Sequence, residues 1–265
     1  MTTTPPADTA APTRRERQRQ ATYDEIVEVS RRLLPSGDVL SLRAVAADMG
    51  MTAPALYRYV DSYQELLLLV CRSIFRDVVE TLVAARDRQA ADDPAAQIMA
   101  AAIAFRQWAL SHREEFGLLF ANPATGHDGE PDEGVVAFAS FFGDIYRRLW
   151  NRYRFAIPTD DELDPDVLVA LRSQREAGTL PCDFPGMPIG LSWVFIRAWA
   201  RLYGTVTLEV FKHMDVGVIG SAALFRAMLE DNARDLAFDE DWPRLQAMMS
   251  EELNRTVDRS DTAAT

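Results

Sequence analysis

Twenty-five residues from Val39 to Tyr63, VLSLRAVAADMGMTAPALYRYVDSY, restrict the fold more than any other part of the chain. Leu42, Val45, Ala46 and Met49 recur at i, i+3, i+4 and i+7, the one apolar stripe of a short amphipathic helix. Gly50 follows at once, supplying the positive φ with which a helix is commonly left. Thr52 is placed to cap a second helix through its hydroxyl, and Pro54 falls in that helix's first turn, where a missing N–H costs nothing. Leu56 and Val60 point back at the first helix, which leaves Ala53, Ala55, Tyr57, Arg58 and Tyr59 outward. Two short helices about a tight turn make a helix-turn-helix, whose second helix is suited to a major groove.

On these residues the chain resembles the TetR family of bacterial transcription regulators. The shared pattern stands here as the apolar helix Leu42–Met49, Gly50, the capping Thr52, Leu56-Tyr57-Arg58-Tyr59-Val60, then Asp61-Ser62 and the run Gln64–Leu69. Where most members carry a lysine that grips a phosphate, this chain has Tyr63, which can donate only a neutral hydrogen bond; a weaker salt dependence is expected there. The likeness is specific over Arg15–Leu69 and concerns architecture beyond. It implies an all-α protein with an N-terminal three-helix DNA-binding head, residues 14–68, and a larger helical ligand-binding and dimerisation domain, residues 69–258. Tails at 1–13 and 259–265 complete that division.

A formal net charge of −12 looks wrong for a partner of DNA until its distribution is followed. From Arg14 to Glu65 eight arginines meet eight acids, whereas residues 66–265 carry −11. The acidity belongs to the larger part, where it either steers phosphates toward the head or only keeps the surface solvated. The longest apolar run, Leu66–Cys71, is far too short for a bilayer, and the start, with Asp8 and no apolar core, is not a secretory signal. Cys71 and Cys182 stand in unrelated contexts and suit two reduced, buried thiols in a cytoplasmic protein.

The rest of the chain reads as helices. Arg14, Arg15, Arg17 and Arg19 form a basic arm into a first helix with Ile26, Val29, Leu33 and Leu34 on its buried face. A long helix over Tyr63–Arg88 has no interior Gly or Pro and can act as a stiff rod. Asp93-Pro94 and Asp164-Pro165 are cap-and-first-turn signals for two later helices. Asn122–Gly134 is a loop, and helix resumes over Val135–Tyr153. Ile189–Met214 is apolar over most of its circumference and must be covered on more than one side; Ser221–Phe238 and a helix around Pro243–Arg255 follow.

Site residues follow from these placements. For DNA they are Ser41, Arg43, Thr52, Ala53, Pro54, Ala55, Tyr57, Arg58, Tyr59 and Tyr63. Resemblance to close TetR-like heads puts Arg43 on a guanine, whose N7 and O6 match a guanidinium fork; a surface ion pair with Asp48 or a neighbouring acid is the competing role. Small side chains at Thr52–Ala55 permit contact with thymine methyls, while Tyr57 and Tyr59 suit phosphates, with Tyr57 also open to a core role. The family's body cavity, carried onto this chain, would use Phe105, Gln107, Trp108, Phe116, Phe120, Phe138, Phe141, Phe142, Tyr146, Trp193 and Arg197. Each of these aromatics taken alone is more often core than pocket lining. The family's dimer helices would present Trp199, Tyr203, Val206, Val210, Leu224, Phe225 and Met228; burial within one subunit is the alternative.

No chemistry of catalysis is legible. His112, His127 and His213 are scattered, no metal-ligand spacing occurs, and there is no Gly-rich phosphate loop. No cofactor and no metal is expected. The function implied is a homodimeric regulator, a repressor released from a palindromic operator in double-stranded DNA by a small lipophilic or aromatic effector. The alternative is a small-molecule or lipid carrier whose head no longer binds DNA.

Overall fold

A computed structural model describes residues 13–36, 40–121 and 133–263. The expected tail at 1–13 and loop at 122–134 lie outside the described residues, except for Thr13 and for Glu133 and Gly134. The chain forms two compact units, Met1–Ser73 and Ile74–Thr265. Every regular element among the described residues is helical.

The first unit holds α1 (Arg14–Leu33), α2 (Leu42–Asp48), α3 (Ala53–Leu56) and the start of α4 (Tyr63–Asp87). The basic arm is not a separate strand of chain. Thr13 and Glu16 close a capping box, with the Glu16 N–H donating to Thr13 Oγ1 at 3.3 Å and the Thr13 N–H to Glu16 Oε2 at 2.7 Å. Arg14, Arg15, Arg17 and Arg19 therefore lie in the first two turns of α1. Ile26, Val29, Leu42, Val45, Leu56 and Val60 make the core of this unit, as their spacing requires.

The second unit is built around α5 (Pro94–Ser111), buried on almost every side. Asp93 caps it, accepting from the Ala96 N–H at 3.0 Å, and four small residues, Ala100–Ala102 and Ala104, let neighbours come close. Around it stand α6 (Arg113–Phe120), α7 (Glu133–Tyr153), α9 (Ile189–Val210) and α12 (Trp242–Ala263), the last lying along α5. Helix α8 (Pro165–Glu176) packs on α9 over Leu163, Leu171, Leu180 and Ile189. The first turn of α9 presses on the chain before α8: a Cβ at Gly190 would meet the Pro158 carbonyl oxygen at 2.1 Å.

Three boundaries differ from expectation. Helix α9 stops at Val210, and Lys212 turns the chain with φ 55°. The expected helix at 221–238 is α11, shortened to Ala223–Asp235 and entered through Ala222 at φ 54°; a short α10 (Val216–Gly220), outside that expectation, precedes it. Helix α12 runs through the expected tail to Ala263, since nothing after Pro243 breaks a helix. Cys71 and Cys182 are reduced and buried. No helix among the described residues is long and apolar enough to cross a membrane.

Candidate DNA-binding face and effector site

Gly50 sets the angle between α2 and α3. Its φ is +65°, the Met51 N–H donates to the Ala46 carbonyl at 2.8 Å, and the Gly50 N–H to Ala47 at 3.1 Å. These are the two bonds of a Schellman turn. Ser41 caps α2, accepting from the Ala44 N–H at 3.2 Å, which commits its hydroxyl to the backbone. Thr52 precedes α3, yet its hydroxyl makes no cap bond; its carbonyl takes the Ala55 and Leu56 N–H groups instead. The exposed hydroxyl thus stays available at the leading end of α3.

Helix α3 is one turn long and continues through turn bonds, Tyr59 N–H to Leu56 and Val60 N–H to Leu56, at 2.8 and 3.1 Å. Ala53 and Ala55 are half-buried, while Pro54, Tyr57 and Arg58 are exposed, so Tyr57 is not core. Tyr59 is half-buried, its ring edge-on to Tyr23 at 5.7 Å. Arg43 projects exposed from the first turn of α2. Of the acids expected to compete for it, Asp48 pairs with Arg32 instead. Tyr63 opens α4, exposed, behind the cap made by Ser62 Oγ and the Glu65 N–H at 3.1 Å.

In the body, the aromatics expected to line a pocket are mostly stacked on one another. Phe105, Phe116, Phe120 and Phe138 form a continuous cluster with Trp199 and Tyr203, centroids 5.1 to 6.3 Å apart. Phe75 of α4 joins it through Phe120 and Phe138. Trp108 stacks on His112, Phe141 lies under the Arg86 guanidinium, and Gln107 donates to the Glu252 carbonyl. Of the expected set, Phe142 and Tyr146 line a small chamber of about 30 Å³ with Phe195, Trp199, Leu229 and Phe238. Trp193 and Arg197 line an open surface groove instead. Burial pushes the Tyr146 phenol well above its usual range, so it stays neutral.

The stripe expected to meet a second subunit is mostly inside the first. Val206, Val210, Phe225 and Met228 are buried within the chain, and Tyr203 donates to the Phe120 carbonyl at 2.8 Å. The most apolar stripe of a helix is the one its own core takes, and spacing alone does not separate the two fates. Leu224 remains exposed, and so does Leu208, which the expectation passed over. Behind α9, Glu209 is buried with Arg106, whose Nε donates to Oε2 at 2.5 Å while Nη2 reaches the Ile219 carbonyl. Burial raises the Glu209 pKa and the guanidinium opposes it. No cluster of three metal-ligating side chains occurs among the described residues.

Residues 98–232 match the family model for the tetracyclin repressor-like C-terminal domain. Three helix-turn-helix transcriptional regulators, Rv1816 and MT1864 of Mycobacterium tuberculosis and Mb1846 of Mycobacterium bovis, are each 33% identical over 202 residues, 75% of this chain and 84% of theirs. The chain belongs to the TetR family. It is a helix-turn-helix transcriptional regulator, not an enzyme. The crystal structure of SCO4313, a candidate regulatory protein, superposes on this TetR-family chain with a TM-score of 0.61 at 27% identity, covering 83% of this chain and 98% of the other. A protein of unknown function from Rhodococcus sp. RHA1 shares the fold, with a TM-score of 0.56 at 21% identity, over 81% and 95% of the two chains.

Proposed function

We propose that this regulator is a cytoplasmic homodimeric repressor that leaves its operator when a small lipophilic or aromatic effector occupies the body. The observation that carries the DNA reading is the one-turn α3, held by the Schellman turn at Gly50. Its leading end offers only small groups and the unspent Thr52 hydroxyl. Small groups at the groove floor allow close approach, and donors at the rim then position the helix: Arg43 for a base edge, Tyr57, Arg58 and Tyr63 for phosphates. Two such helices reach successive major grooves about 34–36 Å apart, or a multiple of that, so the operator is palindromic.

The surface that suits a second copy lies on α9 and α11. Leu208 and Leu224 are exposed there, Ala200 and Ala227 are small and exposed, and a Cβ at Gly204 would meet nothing within 4 Å. Small residues let a partner's helices approach closely, the geometry of a four-helix interface.

Binding of effector and operator must be reciprocal: if one weakens the other by some factor, the converse holds by the same factor. The test is fluorescence anisotropy on the protein's own upstream DNA against a scrambled duplex, at two salt concentrations. Preference for the upstream duplex is expected, and equal affinity for both would sink the operator reading.

A further inference from the structure

Three cavities of the body adjoin one another through shared lining residues. The small chamber of about 30 Å³ shares Ala198, Asn232 and Leu236 with a vestibule of about 180 Å³. The vestibule in turn shares Ala156, Pro158 and Arg197 with the open groove of about 460 Å³ beside Trp193. A route from solvent to the aromatic interior therefore passes a short belt of charge. Arg201 stands in that belt, its Nη1 donating to Asn232 Oδ1 at 2.9 Å and to Asp235 Oδ2 at 2.6 Å. One nitrogen takes both bonds, and Nε and Nη2 have no partner among the described residues. Arg197, which lines both outer compartments, has no ion pair with a described residue.

The chemistry of a fitting ligand follows. A guanidinium with an unspent edge presents a planar fork that a carboxylate fills with two bonds and a hydroxyl cannot. The bridge to Asp235 is half-exposed, with side-chain accessibilities of 34% and 48%, so it contributes little and is cheaply exchanged. Inward of Arg201 the walls are Phe142, Phe195, Trp199 and Leu229, with the neutral Tyr146 phenol. A chamber of 30 Å³ holds about one water, so an apolar group enters it only by moving those walls. The vestibule limits the whole ligand to a single ring or a short chain.

Resting on the effector reading above, we propose that vestibule and chamber form one site for a small amphipathic carboxylate. The ligand's carboxylate takes the Nε–Nη2 edge of Arg201 in competition with Asp235 on Nη1, and its apolar end presses toward Trp199. Trp199 meets Phe138 at 5.2 Å, and Phe138 meets Phe75 of α4 at 6.0 Å, so the wall that must move is packed to the helix that continues into the head.

The test is isothermal titration of the full chain, without DNA, using octanoate and 1-octanol as matched probes. Octanoate is expected to bind about tenfold or more tighter than 1-octanol, the usual advantage of a charged over a neutral hydrogen bond. Arg201→Gln should bring the acid-to-alcohol ratio close to one with an unchanged thermal midpoint. Asp235→Asn, which releases the guanidinium, should tighten octanoate severalfold and leave 1-octanol alone. Equal binding of acid and alcohol, no octanoate binding at millimolar concentration, or weaker octanoate binding in Asp235→Asn would each overturn the proposal. Operator preference measured on the same preparation separates the two readings. If that preference stands while octanoate fails, the site alone is lost. If octanoate binds through Arg201 but leaves DNA affinity unchanged, induction is lost and the site remains.

Discussion

The ring of Tyr59 stands edge-on to that of Tyr23, and Tyr23 in turn receives the Arg19 guanidinium, with Nη2 to the hydroxyl at 3.1 Å. The last turn after α3 is thus fastened to α1 by an aromatic contact worth about 0.5–1.5 kcal/mol beyond its buried area. Tyr59 supports the reading helix more than it reaches from it. Tyr59→Phe should leave operator affinity within about twofold, whereas Tyr59→Ala should lower both the thermal midpoint and the affinity by loosening α3. A large affinity loss in Tyr59→Phe at full stability would instead assign its hydroxyl to a phosphate.

The roles proposed for Arg43 and Tyr63 separate base reading from positioning. Arg43→Ala should relax preference at one base pair by about 1–3 kcal/mol, seen by titrating every single-base variant of the operator. Tyr63→Phe should weaken all duplexes alike, with a smaller change in salt slope than loss of a lysine would give. Mutants indistinguishable from the parent would remove both residues from the interface.

The buried pair of Arg106 and Glu209 gives a stability prediction with two arms. Arg106→Met leaves the Glu209 carboxylate buried without its guanidinium and should cost about 3–5 kcal/mol in urea unfolding. The double change Arg106→Met with Glu209→Leu removes both charges and should recover most of that loss. If the double variant is no better than the single one, packing around Phe225, over which the guanidinium lies, carries the cost instead.

Tyr153 donates to Asp241 Oδ2 at 2.7 Å, and Arg244 joins Asp241 to Asp93, tying the start of α12 to α7 and to the cap of α5. Burial, followed by this bond, pushes the Tyr153 phenol up to about 12, while the Arg244 guanidinium first and the phenol after it hold Asp241 below its usual range. The raised phenol contributes stability below its ordinary value near 10, lost as pH climbs through 12; the lowered carboxylate contributes above its ordinary value, lost as pH falls beneath it. Tyr153→Phe should therefore cost about 1 kcal/mol at neutral pH, discounted for exposure, with the gap closing at both extremes.

Gly190 is a matter of space, not of backbone angle. Gly190→Ala drives a Cβ into the Pro158 carbonyl and should destabilise the body by about 1–3 kcal/mol, read as a lower urea midpoint. Gly50→Ala meets no atom within 4 Å and is strained by its φ alone, so it should cost less.

The head was legible because its signals are local. Gly50, Pro54 and the i, i+3, i+4, i+7 stripe each act within a few residues, and the turn they imply is the one observed. Thr52 shows the limit: the residue is at the cap, yet carbonyl bonding satisfies α3 without the hydroxyl. The body was legible in its helices and not in its site. Asp93-Pro94 and Asp164-Pro165 marked their helices correctly, but the chamber draws on Ile98, Phe142, Phe195 and Phe238, from elements that no sequence spacing relates. Arg201 and Asn232, thirty-one positions apart, gave no motif at all. The stripe on α9 named Val206 and Val210 because they are its most apolar residues, which is also why the subunit keeps them for itself.

Phe75 sits two residues beyond Ser73, where the first compact unit ends, and its ring touches Phe120 and Phe138 but no surface. Exchanging such a ring for leucine or methionine alters how firmly α4 is gripped without touching a base, a phosphate or an effector. Under the induction proposed above, sensitivity to the effector would accordingly drift between sister proteins whose operators and ligands stay the same, with the tuning hidden in hydrocarbon.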